Sequence, residues 1–383
     1  MKIKIVNILY SIFVLSFIIY VLSSTYFLKE NVAWLYFARH ISVIFLAVIG
    51  VLLFNTIIRK TQLYYICIFL PIFLPFFRNE IGAIVFFQYL FFIVSAIVLG
   101  KMWQKEIPLK LILIMMSISI LPIIIDYFIN DAGFIYNNYY GRYRLLLGYF
   151  HPKEAGISVL IPIILLRLWM NYKNININKK ILFDMVVLVL LYFIQSRNIL
   201  LFYINFIIFA FLIRRYRLIF SLTIVAFIFI VLSLFIVSPY YDEVDKLMSN
   251  RLSAWDTGKV DFFGQGTSIN SFEESGSLSK FHIDNFYLEY LIENGFFSFI
   301  VIFSILLFLV FKIGNGKIYG TPTNSLFISF LIFSFFDAGM FSTGNFLNLF
   351  IWSLIFATLY KKSNQKASIC NTNMYRENRC WSS

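Results

Sequence analysis

Charge is scarce in this sequence. Asp, Glu, Lys and Arg make up 13% of 383 residues, against 60% hydrophobic residues and a mean hydropathy of +0.82. So few charges cannot solvate a folded surface in water, which sets aside the soluble and disordered classes in favour of a chain that crosses a membrane many times. Cysteine and histidine are rarer still, with three of each. Cys67 falls inside an apolar run, and Cys370 and Cys380 fall in the polar C-terminal tail, so no disulfide framework is expected. The ending Cys380-Trp381-Ser382-Ser383 matches a prenylation box in form only, because its central positions are not both aliphatic. No His or Cys spacing fits a zinc site, and neither G-x-S-x-G nor H-E-x-x-H occurs, so zinc-site, serine-hydrolase and zinc-protease chemistries have no basis. No metal and no cofactor is expected.

Apolar length is what the chain has in abundance. A span takes about 20 apolar residues to cross roughly 30 Å of hydrocarbon. On that measure there are about twelve segments: Ile5–Leu28, Val32–Ile58, Leu63–Phe77, Ile81–Leu99, Leu109–Ile129, Ala155–Met170, Ile181–Ile194, Ile199–Ile213, Leu218–Val237, Asn285–Phe311, Ser325–Asp337 and Phe341–Tyr360. The first follows Lys2 and Lys4 as a secretory leader would, but its run is too long for a leader's apolar core and reads as a retained helix. The expected fold is an all-α polytopic membrane protein. Residues 1–362 form a bundle of about 12 transmembrane helices with two large external loops, about 130–154 and 238–284, and 363–383 form a disordered cytoplasmic tail.

The net charge of +13 invites a nucleic-acid reading, but the positions of the basic residues speak for topology. Taking alternate connections, Arg59, Lys60, Lys101, Lys105, Arg167, Lys173, Lys179, Lys180, Arg214, Arg215, Arg217, Lys312 and the tail's Lys361 and Lys362 fall on one face, which the positive-inside rule makes cytoplasmic. The other face holds most of the acids, including Glu30, Glu80, Asp131, Glu154, Asp242, Glu243 and Asp245. Both termini are then cytoplasmic, and no nucleic-acid partner is expected. The cytoplasmic connections are too short to fold into a nucleotide-binding domain and carry no Gly-rich phosphate loop.

The external loops hold the chemistry. The first reads NDAGFIYNNYYGRYRLLLGYFHPKEAG, with Arg142 and Arg144 near His151, Lys153 and Glu154. The second carries SNRLSAWDTGKVDFFGQG, with Arg251 and Trp255, and leads through a Ser-, Asn- and Gly-rich stretch into HIDNFYLEYLIENG, with His282, Asp284 and Asn285. Asp242, Glu243 and Asp245 read either as a metal-binding cluster or as solvated helix surface. All three histidines, His40, His151 and His282, map to the external half. Each also has a plain account, hydrogen bonding to headgroups or to a carbonyl. Arg39 lies roughly 10 Å below the external surface at about 1.5 Å per residue from Val32. A central intramembrane Arg costs roughly 2.5–3.5 kcal/mol and faces a bundle interior or a wet cavity, with snorkelling to headgroups as the competing account. Arginine forks grip diphosphate, aromatics stack on sugars, and a neutral His accepts a proton from a hydroxyl.

The run RLSAW, then FFGQG, then HIDNFYLEYLIENG entering a span resembles the O-antigen ligase and polymerase superfamily, and within it the Wzy-type polymerases of O-antigen or capsular repeat units. FHPKEAG before the sixth span and QSRN between the seventh and eighth add to the likeness. The resemblance implies an active site on the external face of the bacterial cytoplasmic membrane, acting as a glycosyltransferase on undecaprenyl-diphosphate-linked oligosaccharides. A flippase and a chain-length regulator would be its partners. The ligase branch carries His directly before the motif's Asn, where this chain has Asp284, with His282 two places earlier. That departure favours polymerase and leaves the proton acceptor open between His282 and Asp284. By the same resemblance arginines of the two external loops handle the diphosphate, Arg142 or Arg144 in the first and Arg251 in the second; Arg39, His151, Lys153, Asn285 and Trp255 are the further candidates for binding substrate.

The reaction so implied is attack of an acceptor hydroxyl on the anomeric carbon of a glycan carried on lipid diphosphate. Its leaving group needs charge neutralisation, each well-placed donor contributing about 10² to 10³ in rate and a base about 10² to 10⁴. The alternatives are a ligase-type transferase and a lipid-linked oligosaccharide flippase. A flippase should hold its charges along a midplane cavity and keep its external loops short. Here the midplane is expected to be nearly bare apart from Arg39, and two loops are long.

Overall fold

The structure is a computed structural model that describes residues 2–32, 34–52, 67–70, 80–104, 107–130, 136–139, 142–145, 147–194, 196–215, 262, 285–314, 320–337, 340–341 and 344–359. Numbered in chain order over these residues, the helices are α1 (Lys2–Ser23), α2 (Tyr26–Asn31), α3 (Trp34–Leu52), α4 (Glu80–Gly100), α5 (Leu109–Asn130), α6 (Pro152–Tyr172), α7 (Ile177–Ile194), α8 (Arg197–Arg215), α9 (Phe286–Gly314), α10 (Gly320–Phe333) and α11 (Phe346–Leu359). Five contain stretches long and apolar enough to cross a membrane: Val6–Ser23, Ala83–Gly100, Leu109–Phe128, Pro152–Tyr172 and Phe286–Ile313. Shorter apolar helices are Phe37–Ile49, Arg197–Ile213, Pro322–Phe333 and Phe346–Leu359. The protein is a helical membrane protein. The expected segment at 218–237 lies outside the described residues, as does the one at 63–77 apart from a helical stretch at 67–70.

Packing explains which helices sit where. Every residue of α11 is buried, the mark of a helix apolar on all sides and enclosed by others. Trp103, in a short 3-10 turn after α4, donates from Nε1 to Ser353 Oγ on α11 at 2.7 Å, and Phe13 of α1 packs edge-on against the same indole at 5.1 Å. Trp352 of α11 stacks on Phe341 and meets Phe327 of α10. By contrast α7 exposes Ile181, Leu182, Met185, Val186, Val189, Tyr192 and Phe193, and α3 exposes Trp34, Phe37, Ile41, Phe45 and Leu52. Faces so apolar are tolerable only against lipid or another apolar surface.

One sequence boundary changes. The first apolar run was expected to continue to Leu28, but α1 stops at Ser23. Ser23 and Ser24 donate to the carbonyl of Tyr20 and Thr25 to that of Leu22, so these hydroxyls bond back onto the last turn. The freed backbone then pairs with the segment before α6: Tyr26 N donates to Gly148 O, and Phe150 N donates to Ser24 O at 2.9 Å. Gly148, at φ 77, has no room for a Cβ, which would run into the carbonyl of Pro122 on α5. The all-α expectation holds for the bundle but not for the first large loop, where β1 (Tyr136–Tyr139) and β2 (Arg142–Leu145) form a two-stranded antiparallel ribbon. Its Tyr-rich strands flank Tyr140-Gly141, a composition that suits a hairpin better than a helix.

Toward its C-terminal end, α6 is clamped to α7 and α8. Arg167 Nε donates to Asp184 Oδ1 and Oδ2 at 2.9 and 3.2 Å, its Nη1 donates to Asn171 Oδ1, and Tyr203 of α8 donates to Asp184 Oδ1 at 2.8 Å. Arg167, expected among the basic residues of a cytoplasmic face, is buried inside this network.

Candidate functional site

The opposite end of α6 begins at His151. Its Nδ1 accepts the Lys153 amide hydrogen at 3.1 Å, capping α6 ahead of Pro152, a residue suited to a first helical turn. In a neutral ring that bond puts the proton on Nε2. Tyr149, just before the cap, turns inward and donates to the carbonyl of Ser119 at 3.1 Å, while burial raises its phenol well above the usual range and keeps it a neutral donor.

The first turn of α6 then presents Lys153 and Glu154, and each meets a distant charge. Arg39 of α3 donates from Nη1 and Nη2 to Glu154 Oε1 at 3.2 and 3.3 Å and from Nη2 to the carbonyl of Ser23, with its guanidinium 5.6 Å from the Tyr20 ring centre. These contacts answer the cost of a buried Arg by pairing and not by snorkelling: its side chain is 7% exposed. Lys153 Nζ donates to Asp337 Oδ1 at 2.6 Å.

Asp337 belongs to the turn that follows α10, and that turn gathers four helices. The amide of Phe286, at the start of α9, donates to Ser334 O at 3.0 Å. Asn198, in the first turn of α8, donates from Nδ2 to Phe336 O at 2.8 Å. Lys153 brings α6, and Gly344 packs against His40 and Arg39 of α3. Three stretches singled out in the sequence, FHPKEAG, QSRN and HIDNFYLEYLIENG, therefore reach one turn through Lys153, Asn198 and Phe286.

Asn285 caps α9, its Oδ1 accepting from the amides of Tyr287 and Leu288 at 3.0 and 3.2 Å. Arg142 and Arg144 lie on β2, where the register pairs Arg142 with Tyr139 and Arg144 with Asn137. Arg251, Trp255, His282 and Asp284 lie outside the described residues. So do the acids Asp242, Glu243 and Asp245; among the described residues no group of three or more His, Cys, Asp or Glu side chains could hold a metal ion.

Asp337 is the residue that sequence reasoning missed. It stood at the end of the eleventh apolar run and read as a boundary, although a lone acid there, followed by the polar turn up to Asn345, was the available signal. Also unforeseen is a break inside α9 at Gly295 (φ 82, ψ 171), after which Phe297 N donates to the carbonyl of Phe262 from the FFGQG stretch at 3.4 Å.

Compared with family models, with curated proteins and with solved structures, the chain matches none.

Proposed function

We propose that the protein is a polymerase of lipid-linked oligosaccharides, joining repeat units carried on undecaprenyl diphosphate into a capsular, exopolysaccharide or O-antigen chain. In this reading the end of the bundle that holds Lys153, Asp337, Arg39 and Glu154 faces the exterior of a bacterial cytoplasmic membrane, and both termini are cytoplasmic. One observation carries it: α6 and α9, the helices that follow the two long connections, are tied at their first turns to the same turn, beside two ion pairs. A diphosphate-linked sugar needs cations at the membrane surface, with its lipid tail left in the bilayer beside the bundle. Arg251 then grips the diphosphate, His282 or Asp284 takes the hydroxyl proton, and Arg142, Arg144, His151, Asn285 and Trp255 line the sugar path. The activated carrier supplies the free energy of the bond.

The α9 break favours a second reading, a flippase or other transporter. Discontinuous helices beside buried polar groups mark many transporter sites. Asn294 precedes Gly295, and its Nδ2, like both amide atoms of Asn324 on α10, is buried without a hydrogen-bond partner among the described residues.

Deleting the gene and resolving the surface polysaccharide on a gel separates these readings. Loss of a polymerase leaves single repeat units at the surface, loss of a ligase leaves long chains on the lipid carrier, and loss of a flippase leaves material trapped inside. Arg251→Ala and His282→Ala should each reproduce the single-repeat phenotype at normal protein levels. Wild-type chain lengths in both variants would remove the chemistry assigned to those residues.

A further inference from the structure

Helix α9 is interrupted early in its apolar length. Gly295, at φ 82 and ψ 171, holds a backbone conformation open in practice to glycine alone, and the apolar run continues beyond it to Ile313. The break ends one helix inside the span, so carbonyls of residues 291–294 lose the amide donors that a continuous helix would supply. Downstream, Phe297 N donates out of the helix to Phe262 O. A helix C-terminus carries a partial negative charge. Two carboxylates on the same half-helix add to it: Glu289 and Glu293, one turn apart, act electrostatically on each other and on Tyr89 of α4.

Two buried amides belong to this level of the bundle. Asn294 is 2% exposed and Asn324 of α10 is fully buried; Nδ2 of the first and both amide atoms of the second have no hydrogen-bond partner among the described residues. Their places follow from the contact between the helices. The Tyr287 hydroxyl of α9 donates to the Leu331 carbonyl of α10 at 3.0 Å, and the Phe286 amide donates to Ser334 O, so the start of α9 meets the end of α10 and the two run antiparallel. Asn294 comes seven residues after Tyr287, and Asn324 seven before Leu331. Seven residues are about two turns and about 10 Å of helix, so each amide returns to the face of the Tyr287–Leu331 contact at a similar depth. A buried amide without a partner is destabilising until something bonds it.

We propose that the α9 break is a binding site for a sodium ion, held by the carbonyl oxygens that end the first half of α9 and by the side-chain oxygens of Asn294 and Asn324. Glu289 and Glu293 supply compensating negative charge. The Asn294 amide, turned end over end, offers its oxygen where its nitrogen now lies. Broken membrane helices use freed carbonyls and half-helix C-termini in this way. Donors that are mostly neutral oxygens suit a monovalent ion better than calcium, whose sites draw on carboxylates. Sodium binding here depends on α9 and α10 alone, so it holds for a polymerase and for a transporter alike.

The test is thermal unfolding of the full-length protein in detergent, in sodium, potassium or choline chloride at one ionic strength. Sodium should raise the midpoint above that in choline, saturably, and potassium should raise it less. Asn324→Leu removes two unbonded polar atoms at nearly constant volume, so it should unfold at or above the wild-type midpoint in choline and lose the sodium shift. Asn294→Leu should lose the shift too, and the double variant should lose no more than either single one, as for one shared site. A wild-type midpoint equal in sodium and choline would overturn the site, as would a sodium shift that survives in Asn324→Leu. An equal response to potassium would overturn the assignment to sodium. Variants that unfold earlier than wild type by the same amount in every salt would make both asparagines structural only, and the site would fall with that result.

Discussion

The imidazole of His40 fills the space that a side chain at position 344 would need: a methyl group placed on Gly344 would meet His40 Cε1 at 2.8 Å and Nε2 at 3.0 Å. The close approach sits next to Arg39, whose Cδ is 3.6 Å from the same point, so the chain entering α11 is packed onto the residues that hold Glu154. Gly344→Ala should therefore push the His40 ring aside and destabilise the protein by about 1 kcal/mol, the low end of the cost of overpacking, because both residues are half-buried and the contact is with the tip of the imidazole. His40→Ala in the same background should restore most of it, because the clash has a single named partner. Thermal unfolding in detergent would check both, and an unchanged midpoint in Gly344→Ala would contradict the packing described.

Arg39 and Glu154 should behave as a buried pair. Removing one partner leaves an uncompensated charge, at a cost of about 3–5 kcal/mol, whereas removing both costs much less. Arg39→Met is thus expected to lower the unfolding midpoint more than Arg39→Met combined with Glu154→Met. Equal losses in the single and double variants would show that the pair contributes little and that the Ser23 and Tyr20 contacts hold Arg39.

How much of this was legible in the sequence follows from the range of each interaction. Hydropathy is local, so the runs that became α4, α5, α6 and α8 were found within a few residues of their observed ends. The end of α1 was missed because it depends on Ser and Thr hydroxyls folding back and on Gly148, more than a hundred residues away. Arg39, His151, Lys153 and Asn285 were singled out for their chemistry, but nothing in the sequence shows that Arg39 meets Glu154 or that Asn285 caps a helix. Asp337 was passed over for the same reason: its partner Lys153 is a tertiary neighbour.

The network of Arg167, Asp184 and Tyr203 offers a contrast, because it lies at the other end of α6 from the proposed site. Tyr203→Phe leaves Asp184 without one of its donors and should cost about 1–3 kcal/mol. If the proposed polymerase reading holds, polymer length per molecule of folded protein should stay at the wild-type value. A shift in chain length at unchanged protein abundance would tie this end of α6 to the chemistry and require a different account of the clamp.

Asn285 carries two roles that substitution can separate, a helix cap seen in the structure and a sugar contact proposed from its place in the motif. Its Oδ1 accepts from Tyr287 N and Leu288 N, so the bonds need an acceptor and no particular charge. Asn285→Ser and Asn285→Asp should hold α9 nearly as well, while Asn285→Ala should cost about 1 kcal/mol, with a range of roughly 0.5–2. If Asn285 only caps, chain assembly follows the same order as stability, with the Ser and Asp variants active. If its amide also binds sugar, both fall in activity while their unfolding midpoints stay near wild type. Because Phe286 is bonded to Ser334, three residues before Asp337, a weakened cap should also disturb the turn that holds Asp337. Asn285→Ala is therefore expected to loosen that turn as well, and a double-variant cycle with Asp337→Asn, read by thermal unfolding, would measure that coupling.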